Sequence, residues 1–281
     1  MKTWKKIVLG VSLISLFLGG GLVAWGYSQG GLTDLQNQTK SEQDYVKKEV
    51  NDFNKIDIKS SSYNVLIKNG DVDKATLSYY QKTKNPIDTS VKDGQLTIND
   101  NSSELDSTSN KHINFFGLKD LVRLSTLNEE VRNKTIVITL PKTQTIDFLK
   151  VDLATGNLDL SNSTIKQADI NLNVGDLTFT KMIVSNLKAN LDVGSVDSDH
   201  TLFTNSDLSI AMGDYSGDNL IFNGHNKLDV TSGDIEIALK DYTLNVQADS
   251  HSGEVDITNN LKISKDNTLT ITSDLGDITV E

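Results

Sequence analysis

Residues 153–160 read LATGNLDL, residues 172–179 read LNVGDLTF and residues 191–198 read LDVGSVDS. Four later stretches align with them on glycine: IAMGDYSG (210–217), VTSGDIEI (230–237), SHSGEVDI (250–257) and SDLGDITV (273–280). The aligned glycines are Gly156, Gly175, Gly194, Gly213, Gly233, Gly253 and Gly276, spaced 19, 19, 19, 20, 20 and 23 residues apart. A regular period of this length marks a chain wound in stacked repeats, each burying its apolar face against the next.

The columns around the glycines say how the chain is wound. Five positions before them stand Val151, Ile170, Ala189, Leu208, Leu228, Ala248 and Ile271, all apolar. Two positions after stand Leu158, Leu177, Val196, Tyr215, Ile235, Val255 and Ile278, again all apolar. A third column, nine after glycine, runs Ile165, Val184, Phe203, Phe222 and Tyr242. Side chains on one face of a strand lie an even number of residues apart. The step from Leu153, three before glycine, to Leu158, two after, is odd, so both can face inward only if the chain bends between them. Glycine permits that bend because it reaches positive φ without a Cβ clash. The expected fold is therefore all-β: a single-stranded parallel β-solenoid of about 19–20 residues per coil, its seven coils roughly 30–35 Å long. A β-sandwich of hairpins is the competing architecture, but it does not explain columns that recur at this period.

Outward from the repeat, from Phe53 on, Ile56 and Ile58, then Tyr63, Val65 and Ile67, alternate with polar residues, and Ala75–Tyr80, Gln95–Asn99 and Thr135–Leu140 are further strand-like runs. Residues 28–52 are polar and patternless and read as a juxtamembrane linker with one short helix near Ser41–Val50. Residues 53–281 form the repeat domain, interrupted by an insertion at 101–133. There Ile113, Phe116, Leu121, Leu124 and Leu127 suit a short amphipathic helix that packs on the repeats or meets a partner. Ile113, Phe115, Phe116, Leu121 and Leu124 are the candidate interaction residues.

At the N-terminus, Ile7–Tyr27 is uncharged over 21 residues, long enough to cross a membrane. Lys2, Lys5 and Lys6 precede it and no Lys or Arg follows before Lys40, so residues 1–6 are expected in the cytoplasm and the rest outside. A cleaved signal peptide is the alternative, and it exports the same domain. The chain contains no cysteine, which excludes disulfides, thiolate metal sites and acylation at a cysteine. Beyond the first 31 residues there are 24 basic against 38 acidic residues, a net of −14 that argues against nucleic acid as a partner.

The residue after each glycine is Asn157, Asp176, Ser195, Asp214, Asp234, Glu254 or Asp277. One carboxylate per coil gives too few oxygens for a Ca²⁺ site, and Gly-Asp is a favoured turn pair. His112, His200, His225 and His251 show no metal-ligand spacing. Leu140-Pro141-Lys142-Thr143-Gln144 resembles a sorting signal but sits mid-chain, where it reads as a strand end. Acidic residues are plentiful, but the repeats carry no Trp and no Arg, so a polysaccharide-active enzyme is disfavoured and no cofactor is expected.

The opening IDIKSSSYNVLI, the VKDGQLTI strand, the junction IVITLPKTQTIDFLKVDLATGNLDL and the recurrent Gly-polar-apolar units together resemble the adhesin-labelled β-strand-repeat family of bacterial domains of unknown function (family 4097), which includes an accessory protein of Lia-type envelope-stress operons. The resemblance covers Phe53–Glu281 and implies an extracytoplasmic β-solenoid, often tethered by one helix. For function it implies little. The anchor, the repeat and the absence of a catalytic constellation point to a non-enzymatic envelope protein whose partner is an envelope protein or glycan, in stress signalling or, alternatively, as a surface adhesin. The insertion at 101–133 departs from the family pattern.

Overall fold

The computed structural model describes residues 43–82, 86–100 and 134–281. The apolar run at 7–27 and the insertion at 101–133 lie outside the described residues. Among the described residues no helix is long and apolar enough to cross a membrane.

Each repeat period forms three short strands. In the second they are Ala168–Val174, Leu177–Thr180 and Ile183–Ser185. Each pairs in parallel with its counterpart one period on, so Leu158, Leu177, Val196, Tyr215 and Ile235 stand in one register column. Val151, Ile170, Ala189, Leu208 and Leu228 form a second column. Ile146, Ile165, Val184, Phe203 and Phe222 form the third. Parallel pairing at one-period offset is a coil stack and excludes the hairpin sandwich, whose neighbours run antiparallel. Among the described residues antiparallel pairs occur beside the first coils, Thr76–Ser78 with Val137–Thr139 and Asp88–Lys92 with Gln95–Asn99.

The three columns meet in one core. Phe179 and Phe203 lie edge to face at 5.3 Å, and Phe203 and Phe222 stack at 5.8 Å. Such aromatic pairs add to the burial of apolar area that holds successive coils together.

Three corners turn each coil. At the first, Gly156, Gly175, Gly194, Gly213, Gly233 and Gly276 have φ between +137° and +151°. A Cβ at Gly194 would stand 2.0 Å from the carbonyl oxygen of Gly175, so the column is closed to side chains as well as conformationally special. The second corner uses Asn162, Lys181, His200 and Asn219, and the third uses Asn186, Asn205 and Gly224, all left-handed with φ of 47–65°. Asparagine tolerates that region better than other side-chain-bearing residues.

The order of coils departs from the order of the chain at both ends. The strand Thr268–Leu275 lies between His225–Ser232 and Asn245–Ser252, parallel to both. Ile278–Val280 likewise separates Ile235–Ile237 from Val255–Ile257. The repeat at Gly253 is therefore outermost and the repeat at Gly276 is threaded inside it. The apolar content explains the exchange: Leu269, Ile271, Ile278 and Val280 are almost fully buried, whereas the outer strand is mostly polar and Val255 is 37% exposed. At the other end Lys55–Ser60 sits between Gln95–Asn99 and Phe148–Thr155. The sheet before the glycine corner thus stacks nine parallel strands, two more than the seven coils counted by glycine.

The short helix expected near 41–50 is instead a strand, Gln43–Glu49, which lies beside Thr76–Lys82. A ten-residue helix has little stability alone, whereas this edge offers backbone partners and packing. Tyr45 and Tyr80 rings lie 4.8 Å apart, and Val46 packs on the core. The compact unit accordingly spans Asp44–Glu281 and takes in part of the expected linker.

Candidate interaction surface

The polar residues after the corner glycines are occupied in holding coils together. Asn157 Oδ1 accepts the Asp176 N–H at 3.0 Å, and Asp176 Oδ1 accepts that of Ser195 at 3.0 Å. Asp214 Oδ1 then accepts the N–H of Asp234, Asp234 that of Asp277, and Asp277 that of Glu254, at 2.8–2.9 Å. Each side chain thus caps the backbone of the next coil outward rather than its own turn. Carboxylates engaged in this way serve as corner hardware.

The outward face of the first sheet carries a different pattern. Asp57, Lys150, Asp169, Lys188, Asp207 and Lys227 stand in one register column, so opposite charges alternate along the stack. Beside it, Asn190 Nδ2 donates to Asn171 Oδ1 and Asn171 Nδ2 to Asp152 Oδ1, both at 2.9 Å. Lys227 bonds Asp229 on the same face, which raises the ammonium's pKa. Neighbouring side chains of opposite charge or matched amides stabilise the pairing and hold one another in place. The alternation was present in the sequence as Lys and Asp at a 19–20-residue period, but only the coil register makes it a column.

Where this face meets the first corner there is a cavity of about 560 Å³ lined by Lys59, Ser60, Ser61, Asn99, Asp100, Asp152, Leu153, Ala154, Asn171 and Asn173. Asp100 forms one wall. Its Oδ2 accepts from Ser60 Oγ and Ser61 Oγ at 3.1 Å and from the Ser61 N–H at 3.4 Å. Asp100 and Tyr63 also interact: burial first, then the Asp100 charge, pushes the Tyr63 hydroxyl up to about 12. The groove offers amide and hydroxyl groups, one ammonium and two carboxylates on rigid strands. Among the described residues its lining holds no imidazole or thiol, and its chemistry suits hydrogen bonding to a polar ligand. The insertion at 101–133, with Ile113, Phe115, Phe116, Leu121 and Leu124, begins directly after Asp100 and lies outside the described residues.

Two further features escaped the sequence reading. Asp159 alternates with buried Leu158 and Leu160 and so faces outward, yet it is fully buried, between Leu66 and Thr178 in its register column. Neither carboxylate oxygen has a hydrogen-bond partner, and burial, with a smaller contribution from the Asp176 charge, pushes its pKa up to about 8. Separately, the second corner brings His200 Nδ1 within 2.6 Å of Asp199 Oδ1, with the Asp218 carboxylate close by. Asp218 also accepts from Asn219 Nδ2 at 2.8 Å. This exposed cluster is satisfied as an imidazole–carboxylate pair.

The Toastrack domain model (DUF4097) matches residues 53–281. Among solved structures, a candidate adhesin from Bacteroides fragilis is 15% identical, with 85% of this chain and 97% of that one covered at a TM-score of 0.39. A candidate cell-adhesion protein from Clostridium sporogenes is 16% identical, covering 85% and 98% at a TM-score of 0.38. A candidate lipid-binding protein from Parabacteroides distasonis is 14% identical, covering 85% and 97% at 0.40. No curated protein matches the chain.

Proposed function

Since the chain belongs to the Toastrack family, we propose that it is a non-enzymatic, membrane-anchored envelope protein that presents its β-solenoid to another envelope component. The observation that carries this reading is the polar groove at Lys59, Asp100, Asp152 and Asn171, set in a rigid, charge-alternating face and adjoining the root of the insertion at 101–133. A preorganised polar surface binds without the ordering cost that flexible segments incur. The uncharged run Ile7–Tyr27 behind Lys2, Lys5 and Lys6 supports anchoring by one helix with the repeat domain outside.

The test is made in intact cells producing the full chain. External protease is expected to cut the repeat domain while the N-terminal end stays protected. A photo-crosslinking residue at Asn171 is expected to trap an envelope protein or glycan that the same residue at Glu236, on the other sheet, does not. Protection of the repeat domain, or equal crosslinking at both positions, overturns the reading. Envelope-stress signalling is its finer form, and deleting the gene should then alter the stress response. Binding to other cells rather than to the cell's own envelope would instead favour adhesion.

A further inference from the structure

The outermost strand at the C-terminal end, Asn245–Ser252, has one ladder partner among the described residues, Thr268–Leu275. Asn245 donates its N–H to Asn267 C=O at 3.0 Å. In a parallel ladder successive residues turn their N–H and C=O to opposite sides. The groups of Val246, Ala248 and Ser250 therefore point away from the stack, towards no strand among the described residues. Below that edge the core is only half closed, with Val246, Ala248, Ile257 and Leu261 partly buried and Ile263 84% exposed.

An open, ungoverned strand edge invites pairing, and proteins ordinarily guard one with charge or proline. The strands at the other end of the stack are guarded: Gln43–Glu49 carries Lys47, Lys48 and Glu49, and Asp88–Lys92 carries a charge at each end. Asn245–Ser252 (NVQADSHS) has no Lys, Arg, Glu or Pro, and Asp249 is its one carboxylate.

We propose that this edge is a homotypic docking site, through which two copies of the chain pair antiparallel about a two-fold axis at Ser250. Charge selects that register. With Ser250 opposite the partner's Ser250, the outward N–H and C=O of the two Ser250 residues meet. The partner's Ser252 N–H meets Ala248 C=O, while the Ser252 C=O stays with Gly276 N–H at 3.1 Å, and Asp249 stands across from the partner's His251. Asp249 and His251 are exposed, and this pair falls at a non-hydrogen-bonded position, where side chains approach most closely. The two-fold repeats the carboxylate–imidazole contact, as an isologous interface requires. Centring the axis on Asp249 instead would set Asp249 against its own copy. The partly buried apolar ends of the two cores would cover each other. The site lies at the opposite end from the groove, so self-pairing does not depend on what the groove holds.

The test is the mass of the full chain in detergent micelles by light scattering. The wild type is expected to run as a dimer. Ser250→Pro removes the edge N–H that meets the partner's Ser250 C=O, at a position where an edge strand tolerates proline, and should weaken association by about tenfold or more. Asp249→His places imidazole against imidazole and His251→Asp places carboxylate against carboxylate, so each alone should shift the chain towards monomer. The double variant Asp249→His/His251→Asp restores opposite pairing and should restore the dimer, which damage to folding would not do. A monomeric wild type, a dimer indifferent to Ser250→Pro, or a double variant no better than the singles overturns the proposal.

Discussion

Gly194 is held by two constraints that can be separated. Its φ is +146°, and a Cβ would lie 2.0 Å from a backbone oxygen of the neighbouring coil. Gly94 has positive φ as well, +75°, but the nearest atom to its Cβ would be Asn54 Oδ1 at 3.4 Å. Gly194→Ala should therefore lose on the order of 3 kcal/mol of stability, and Gly94→Ala about 1 kcal/mol, measured by urea unfolding. Equal losses would mean that φ alone governs the corner. Asp159 is the complementary case, a residue whose burial costs stability. Its folded pKa of about 8 lies above the ordinary carboxylate value, so the folded state keeps a proton that the unfolded state has released. Stability tied to this group is full below about pH 4 and falls as pH rises towards 8, at up to about 1.4 kcal/mol per unit. Asp159→Asn should flatten that decline and raise the unfolding midpoint at pH 7. The glycines were legible in the sequence because one constraint recurs at one period. Asp159 was not, because alternation tells which face a residue takes and not whether that face is covered.

At the scale of the strand and its corner, the side-chain ladder does work that the parallel sheets cannot do. The corner leaves an N–H at each post-glycine residue outside the regular strands, and the preceding coil's Asn, Asp or Ser supplies the acceptor. Asp214→Ala removes the acceptor for Asp234 N–H and should cost about 1 kcal/mol. Asp214→Asn keeps an Oδ1 and should stay near the wild type in the same unfolding measurement. If both variants lose equally, charge rather than the hydrogen bond holds the corner. Reading Gly-Asp as turn chemistry located these residues correctly, but a turn motif alone points to bonds within the turn. The bond to the next coil follows only from the register. Gln43–Glu49 shows the same limit from the other side: Lys47, Lys48 and Glu49 suit a helix, and the tertiary edge beside Thr76–Lys82 decides for a strand.

For the whole molecule, the exchanged coil order at the C-terminal end makes a prediction that sequential stacking does not. If coils stacked in chain order, ending the chain after Asn267 would remove only the last coil and leave the one at Gly253 seated on the one at Gly233. In the observed order Thr268–Leu275 is, among the described residues, the sole ladder partner of Asn245–Ser252, and Ile278–Val280 that of Val255–Ile257. Both ladders vanish with the truncation. The corner contact goes too, since Glu254 N–H is capped by Asp277 and Gly253 packs on Gly276. Amide hydrogen exchange on the truncated chain should show residues 245–257 losing protection as a unit. The coils from Phe148 to Val193, each paired on both sides, should exchange as in the intact protein. Interfaces in a stacked-repeat protein act mainly between neighbours, which confines the damage to the exposed end. Retained protection across 245–257 would mean that this coil can dock on His225–Leu239 directly and that the threading of the last repeat is dispensable.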